Sequence, residues 1–363
     1  MTAYDVHTVL VSGAGVAGPA LAHWLRHHGF APTVVERAPA PRPGGQAIDV
    51  RGPAIEVLDR MGVLAEVRAA RTGTLGTSYV DAEGAELSRT EGETFTGGPV
   101  DGPDIEILRD DLSEILVRAA PAEYLYGDTA TALDQDDHGV LVHFEHSAPR
   151  RFDLVIGADG LHSRVRSLAF GEVPPHHLGV ALAVFSTPNT FGLDRWQVFH
   201  SSDAGMVGVY SARANAEARV VMGWHCTDLP RDPDAQRTLV AEAFAGGGWE
   251  TPTLVEAMRT APDFYCDTMS QVHLDTWSRG RVGLLGDAAH CPSPLSGQGT
   301  SLALVGAYVL AGELAHGGGL AGYESAMREY VRLNQALATE HQGAPPPPEA
   351  VRKAVDAIDL KAY

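Results

Sequence analysis

The chain has 363 residues, 20% of them charged, with a formal net charge of −19. That length implies two closely joined domains rather than one core. So acidic a chain is a poor candidate for general nucleic-acid binding or for an anionic membrane surface, since both need positive charge. Its three cysteines, Cys226, Cys266 and Cys291, are odd in number and far apart. No disulfide framework or zinc site is expected, and a reducing cytoplasm is the natural setting.

A strand is expected over residues 6–11, so close to the start that no signal peptide is expected before it. GAGVAG follows at 13–18. Leu21, Trp24, Leu25 and His28 then repeat at helical spacing until Gly29 closes the helix. A second strand covers 33–36, PAPRPGG at 39–45 reads as a loop, and 53–61 reads as a helix. Short alternating runs at 74–90 and 177–226 predict an antiparallel sheet. A helix is expected over 111–120, with Asp111 and Glu114 as a capping box, and a buried strand over 151–157. Two short helices fit 236–260. A third buried strand fits 282–285, and the apolar helix at 301–315 is too short to span a bilayer. GAPPPP at 343–348 reads as a stiff linker before a last amphipathic helix.

The first glycine cluster sits between strand and helix. There Gly13 permits a tight turn, Gly15 lets the backbone approach a pyrophosphate, and Gly18 lets helix and strand pack closely. The helix start offers free N–H groups to phosphate. Glu36, ending the second strand, is spaced to bind a ribose hydroxyl. This fingerprint does not separate NAD from FAD. Two later segments favour FAD: FDLVIGADGLHSRVR at 152–166 and GRVGLLGDAAHCPSPLSGQGTSLAL at 280–304. In each, an Asp beside a glycine ends a strand, placed to accept from a sugar-alcohol chain. The GQG before the last buried helix presents N–H groups where a reduced flavin carries negative charge.

Other polar residues have plainer readings. Of His143, Glu145 and His146, the first two alternate with Val142 and Phe144, as an outward strand face would, and no metal set is expected. His176 and His177 follow two prolines and read as loop. His290 is read as orienting its loop, Cys291 as a small buried hydrophobe, and Arg42 as a solvated surface residue. Arg51 could meet a phosphate, and Met222 and Trp224 fit either a pocket wall or a sheet core.

Together, GAGVAG with Glu36-Arg37, PGGQAIDVRG at 43–52, Arg109 ahead of its helix, the DG pair at 159–160 and GDAAHCPSPLSGQG at 286–299 resemble the class A flavoprotein monooxygenases. These have the para-hydroxybenzoate hydroxylase fold, and the loops are most similar to those of aromatic-polyketide hydroxylases and tetracycline-inactivating monooxygenases. The resemblance covers roughly residues 5–335. It implies an α/β architecture: a Rossmann-like FAD-binding domain (1–73, 101–172 and 278–335) interleaved with a β-rich substrate domain (74–100 and 173–277), then a Pro-rich linker and C-terminal helix (336–363).

It also implies roles. Gly13, Gly15 and Gly18 would cradle the FAD pyrophosphate, with Glu36 on the adenosine ribose and Arg37 near the adenine. Arg109 and Asp287 would contact the ribityl–pyrophosphate stretch, and Asp159 would serve FAD and the nicotinamide donor. Asp49, Pro294, Gly297, Gly299 and Thr300 would lie by the isoalloxazine. The chemistry implied is reduction of FAD by NADPH or NADH, then transfer of one oxygen from O2 through a C4a-hydroperoxyflavin to an aromatic or polyketide-like molecule, with no catalytic side chain of its own. The implied setting is the cytoplasm, as monomer or homodimer, with no nucleic-acid or membrane partner. Larger members carry a thioredoxin-like C-terminal domain; this sequence ends soon after its Pro run, so no activity depending on one is expected. The residues leave Baeyer–Villiger or epoxidising chemistry open, and also a non-catalytic flavin protein that sequesters a ligand. A second GxGxxG with CxxC, as in a disulfide reductase, is missing from the sequence, as is the WxWxIP of a halogenase.

Overall fold

The computed structural model describes residues 6–92, 99–100, 102–340 and 346–363. Half of the expected 343–348 linker and part of the 74–100 segment lie outside the described residues.

Two sheets organise the described chain. The first has six strands, in the order Ser278–Arg279, Val282–Leu284, Leu154–Gly157, Thr8–Ser12, Ala31–Glu36, Glu123–Tyr126. All pairings are parallel except the short Ser278–Arg279 edge. Helices and a small three-stranded sheet pack against it, so its strands read as unbroken apolar runs: Val9, Leu10, Val11, Val155 and Ile156 are buried. Against it lies the helix Gly299–Ala315, buried along nearly its whole length between Ala17–His27, Pro53–Arg60 and Gly319–Ala336. Its apolar residues fall all round the axis, as a helix enclosed on every side requires.

The second sheet has seven strands, in the order Tyr265–Gln271, His176–Pro188, Glu217–His225, Gly205–Ala212, Trp196–Ser202, Gly76–Val80, Glu86–Glu91. Only Trp196–Ser202 with Gly76–Val80 is parallel. Its two faces follow the period of a strand. On Glu217–His225, Val220, Met222 and Trp224 join the core under helices Pro233–Ala243 and Thr251–Thr260, while Val221 joins a cluster on the opposite face. Met222 and Trp224 are therefore sheet core, which settles the choice the sequence left between core and pocket.

A two-stranded ribbon lies between the large sheets: Ala47–Val50 antiparallel to Ile105–Leu108, with Asp49 directly opposite Glu106. A three-stranded sheet, Ala130–Asp136, Gly139–Phe144 and Arg150–Phe152, packs on the six-stranded sheet, and Val140, Val142, Phe144 and Phe152 share its core. The C-terminal helix Pro348–Val355 packs on Gly319–Ala336, where Asn334 Nδ2 donates to the Ala354 carbonyl at 3.0 Å. The last residues fold back: Lys361 Nζ and the Tyr363 hydroxyl both reach Glu313 Oε1, at 2.6 and 2.8 Å.

Two local expectations need correction. The helix expected over 111–120 is Arg109–Ala119, and no side chain caps it. Asp110 and Asp111 instead pair with Arg213 at 2.7 and 3.1 Å, so a long-range cation takes the carboxylate that local capping would have used. His176 and His177 are not loop; they open the long strand His176–Pro188. The strand's irregularity comes after them, in a register shift between His177 and Ala181 around Gly179, whose φ is +82°.

Candidate functional site

The first strand hands the chain to the first helix through three glycines that differ physically. Gly13 has φ +109° and its N–H donates to the Val35 carbonyl at 2.7 Å; a Cβ there would overlap the Ala158 carbonyl oxygen. A Cβ on Gly18 would overlap the carbonyl oxygen of Gly13. Both sites are closed by the protein's own backbone. Gly15 is the opposite: a Cβ there meets nothing within 4 Å. Its small size is not needed by the fold, so the space beside it is available for something else to approach the backbone. Glu36 completes the turn, its carboxylate accepting from the N–H groups of Ala14 and Ala38, both at 2.8 Å. Arg37 is exposed at the same strand end.

From this turn one continuous cleft of about 3190 Å³ runs between the two large sheets. That is several times the roughly 300–1,000 Å³ of an ordinary small-molecule pocket, enough for a dinucleotide and a second molecule. Gly13, Gly15, Glu36, Arg37, Asp49, Arg109, Asp159, Asp287, Pro294, Gly297, Gly299 and Thr300 all line it. Gly18 does not; it acts behind the turn. Twelve of the thirteen residues singled out from sequence therefore come together on one wall system.

Their states differ. Arg109 opens its helix, and its guanidinium donates to the carbonyls of Gly44 and Arg42 at 2.6 and 3.2 Å. Gly45, at φ +112°, leaves room for it, since a Cβ would lie 2.5 Å from Arg109 Nε. Burial, with Arg42 nearby, lowers the Arg109 pKa. Asp159 is engaged locally: it accepts from the Ser163 hydroxyl at 2.5 Å and from the N–H groups of Arg164 and Val165 at 2.8 and 3.1 Å. It thus holds the start of the helix Arg164–Phe170 while facing the cleft. Asp287 is engaged least, with the Cys291 thiol its one side-chain partner among the described residues. Burial raises its pKa, and Asp267 adds to the effect. A half-buried carboxylate in the cleft wall with so few donors is a position where a ligand hydroxyl would be accepted.

The loop after Asp287 is bent at Ser293 (φ +75°) and Gly297 (φ +65°), with a 3-10 turn Pro294–Ser296 between. It delivers Gln298 to the start of Gly299–Ala315 fully buried, with neither side-chain amide atom hydrogen-bonded. Leaving a buried amide unmade costs about 1–3 kcal/mol. Gln298 lines the cleft, so an occupant with polar edges would relieve that cost. Open space at Gly15, the sparsely engaged Asp287 and the orphan amide of Gln298 all fit a flavin dinucleotide.

Sequence reasoning missed several residues here. Arg166, buried, donates to the carbonyls of Ala288 and Leu161 at 3.0 and 2.6 Å, tying the 159–160 and 286–287 loops together. Arg219, also buried, pairs with Glu217, Asp263 and Asp110 at 3.1, 3.3 and 3.5 Å. Asp110 in turn accepts from the Gly44 N–H at 2.8 Å, so this network fastens the glycine loop to the second sheet. Asp267 accepts from the Tyr265 hydroxyl at 2.9 Å and lies 3.0 Å from the exposed His162 ring. Burial pushes the Asp267 carboxyl up, but His162 and the hydrogen bonds outweigh it and hold it low. The one usable signal was the basic run after the DG pair, which contains Arg166; Arg219 and Asp267 each also depend on partners far apart in sequence, Asp110 and Asp263 for one and His162 for the other. Arg51 meets acids rather than facing open solvent: Asp49 at 3.1 Å and Asp104 at 3.7 Å. His290 is buried, 3.1 Å from the Tyr323 hydroxyl and against the Trp277 ring, and burial lowers its pKa to about 3. His143 pairs with Asp134.

Residues 6–340 match the FAD binding domain family. An uncharacterized protein of Mycobacterium tuberculosis is 51% identical, covering 98% of this chain and all of its own length. A flavin-dependent monooxygenase of an unknown prokaryotic organism is 39% identical, covering 98% of each chain. The crystal structure of tetracycline destructase Tet(55) superposes over 100% of both chains with a TM-score of 0.89 and 36% identity. The expected α/β fold and FAD as cofactor stand, and this chain belongs to the FAD-binding-domain family as one of its flavin-dependent monooxygenases.

Proposed function

We propose that the chain takes electrons from NADPH or NADH and transfers one oxygen atom of O2 to an aromatic or polyketide-like small molecule, the second oxygen leaving as water. The balance is substrate, O2, NAD(P)H and a proton giving oxygenated substrate, water and NAD(P)+. Bound FAD supplies the redox chemistry, accepting hydride and activating O2. The protein's part is to bind, orient and exclude water.

Gly13, Gly15 and Gly18 would seat the pyrophosphate at the helix start, with Glu36 and Arg37 at the adenosine end. Arg109, Asp159 and Asp287 would hold the middle of the cofactor. Asp49, Pro294, Gly297, Gly299 and Thr300 would face the ring system. N–H groups at the start of Gly299–Ala315 would favour negative charge there. The segments 1–73, 101–172 and 278–335 would act as the cofactor domain, 74–100 and 173–277 as the substrate domain, and 336–363 as linker and closing helix. The setting would be the cytoplasm, with a monomer or homodimer sufficient. Among the described residues no helix is long and apolar enough to cross a membrane.

One observation carries the reading: the cleft continues past the glycine turn to a wall of Tyr79, Phe199, Met206 and Tyr210 on the second sheet. Such a wall suits a flat apolar ring system. Similarity to a tetracycline destructase along the whole chain supports a polycyclic substrate. The test is NADPH and NADH oxidation by the FAD-loaded protein with and without polycyclic phenols. Substrate-stimulated oxidation is expected. Oxidation that no such compound changes would contradict the reading.

A further inference from the structure

The ribbon between the sheets places two carboxylates side by side, and they are treated differently. Asp49 and Glu106 are direct antiparallel partners, so their side chains share a face about 5 Å apart at Cβ. Like charges so placed repel. Asp49 is neutralised by Arg51 at 3.1 Å. Glu106 has no cation among its strongest influences. Its Oε1 accepts from the Thr72 and Thr74 hydroxyls at 2.5 and 3.0 Å, and Gln197 donates to the same carboxylate. These are neutral donors, three in number, against roughly four acceptor positions on a carboxylate. Burial, then Asp49, raises the Glu106 pKa. Glu106 lines the cleft where the aromatic wall begins, and Gln197 comes from that wall. The ligand site is the cleft itself, argued independently from its volume and from the orphan amide of Gln298.

We propose that Glu106 sets substrate choice in this cavity, selecting aromatic molecules that present a cationic amine or a hydroxyl donor and rejecting those that present a carboxylate. The inference rests on the aromatic-substrate reading above. A donor from the ligand would take the remaining acceptor position, and a cationic one would make a charge-assisted bond in a low-dielectric site. A ligand carboxylate would meet Asp49 and Glu106. The cation beside them, Arg51, is already held by Asp49 and Asp104. Bringing a third anion there unpaired is costly.

The test uses the FAD-loaded protein and three 2-naphthols with an aminomethyl, a hydroxymethyl or a carboxylate group at one ring position, titrated by calorimetry. The aminomethyl compound is expected to bind about ten-fold or more tighter than the carboxylate, a gap of about 1.4 kcal/mol, with hydroxymethyl between. Glu106→Gln keeps the shape and the threonine contacts but removes the charge, and should narrow the gap to about three-fold with FAD content unchanged. The wild-type ranking stands even if the variant folds poorly. A carboxylate bound as tightly as the amine, or an unchanged gap in a folded Glu106→Gln protein, overturns the assignment of Glu106 alone. Failure of all three to bind the FAD-loaded protein overturns the aromatic reading and this inference with it.

Discussion

The two large sheets make opposite use of their side chains at the cleft. On the parallel sheet the working surface is mostly backbone: strand ends, glycines and helix starts. Gly13 and Gly18 have no alternative there, because any Cβ would strike a carbonyl oxygen. On the seven-stranded sheet the working surface is made of side chains such as Tyr79, Phe199 and Met206, any of which could be exchanged for another of similar size without unfolding a strand. One surface is held to a single solution and the other is free to vary. A cofactor common to many enzymes suits the first, and a substrate particular to one suits the second.

Substitutions within the glycine turn would break this contrast most directly. Gly18→Ala should be the most damaging, because the methyl has nowhere to go. We expect a loss of about 3 kcal/mol or more, read as a large fall in unfolding midpoint of the apo-protein. Gly15→Val is the counterpart. With open space at the site, the apo-protein should keep its stability to within about 0.5 kcal/mol, while FAD content after purification falls to near zero. If Gly15→Val unfolded the protein, or kept its FAD, the division between a turn closed by protein and a turn open to cofactor would be wrong.

A smaller effect is expected at Asp287. Removing a charge-assisted acceptor costs about 1.5–3 kcal/mol, so Asp287→Ala should weaken FAD binding about ten- to hundred-fold in a titration of apo-protein. Its apo fold should persist. An unchanged dissociation constant would remove Asp287 from the cofactor wall and sharpen the role of Gln298 beside it.

The effect that is smallest near neutral pH, and grows only in acid, concerns protonation. His290 is neutral when folded, with a pKa near 3, against about 6.5 when unfolded. Between those values the unfolded chain binds a proton that the folded chain refuses. Its contribution is therefore full above pH 6.5 and is lost as pH falls toward 3, with a slope of about 1.4 kcal/mol per pH unit. His290→Gln should flatten the stability–pH curve in that window relative to the parent. Parallel curves for the two proteins would mean that His290 is not held neutral by its burial.

The same contrast explains what the sequence could reveal. The glycine turn, Glu36, the DG and GD strand ends and the buried last helix are local signals, written within a few residues of where they act. The capping box at Asp111 failed because Arg213, about a hundred residues away, claims that acidic turn. Glu106 went unnoticed because its meaning depends on Asp49 across the ribbon and on Thr72, Thr74 and Gln197 from other segments. Arg219 and Asp267 were hidden for the same reason. No periodicity marks a residue whose decisive partners lie on other elements, as Asp110 and Asp263 do for Arg219 and His162 does for Asp267.

The central claim is oxygen transfer, and turnover under labelled dioxygen tests it most directly. The FAD-loaded protein would be supplied with NADPH and a polycyclic phenol that stimulates its oxidation, and the product weighed by mass spectrometry. The account predicts one labelled oxygen atom per product molecule. A product whose new oxygen comes only from water, or one that is dehydrogenated without gaining oxygen, would contradict it.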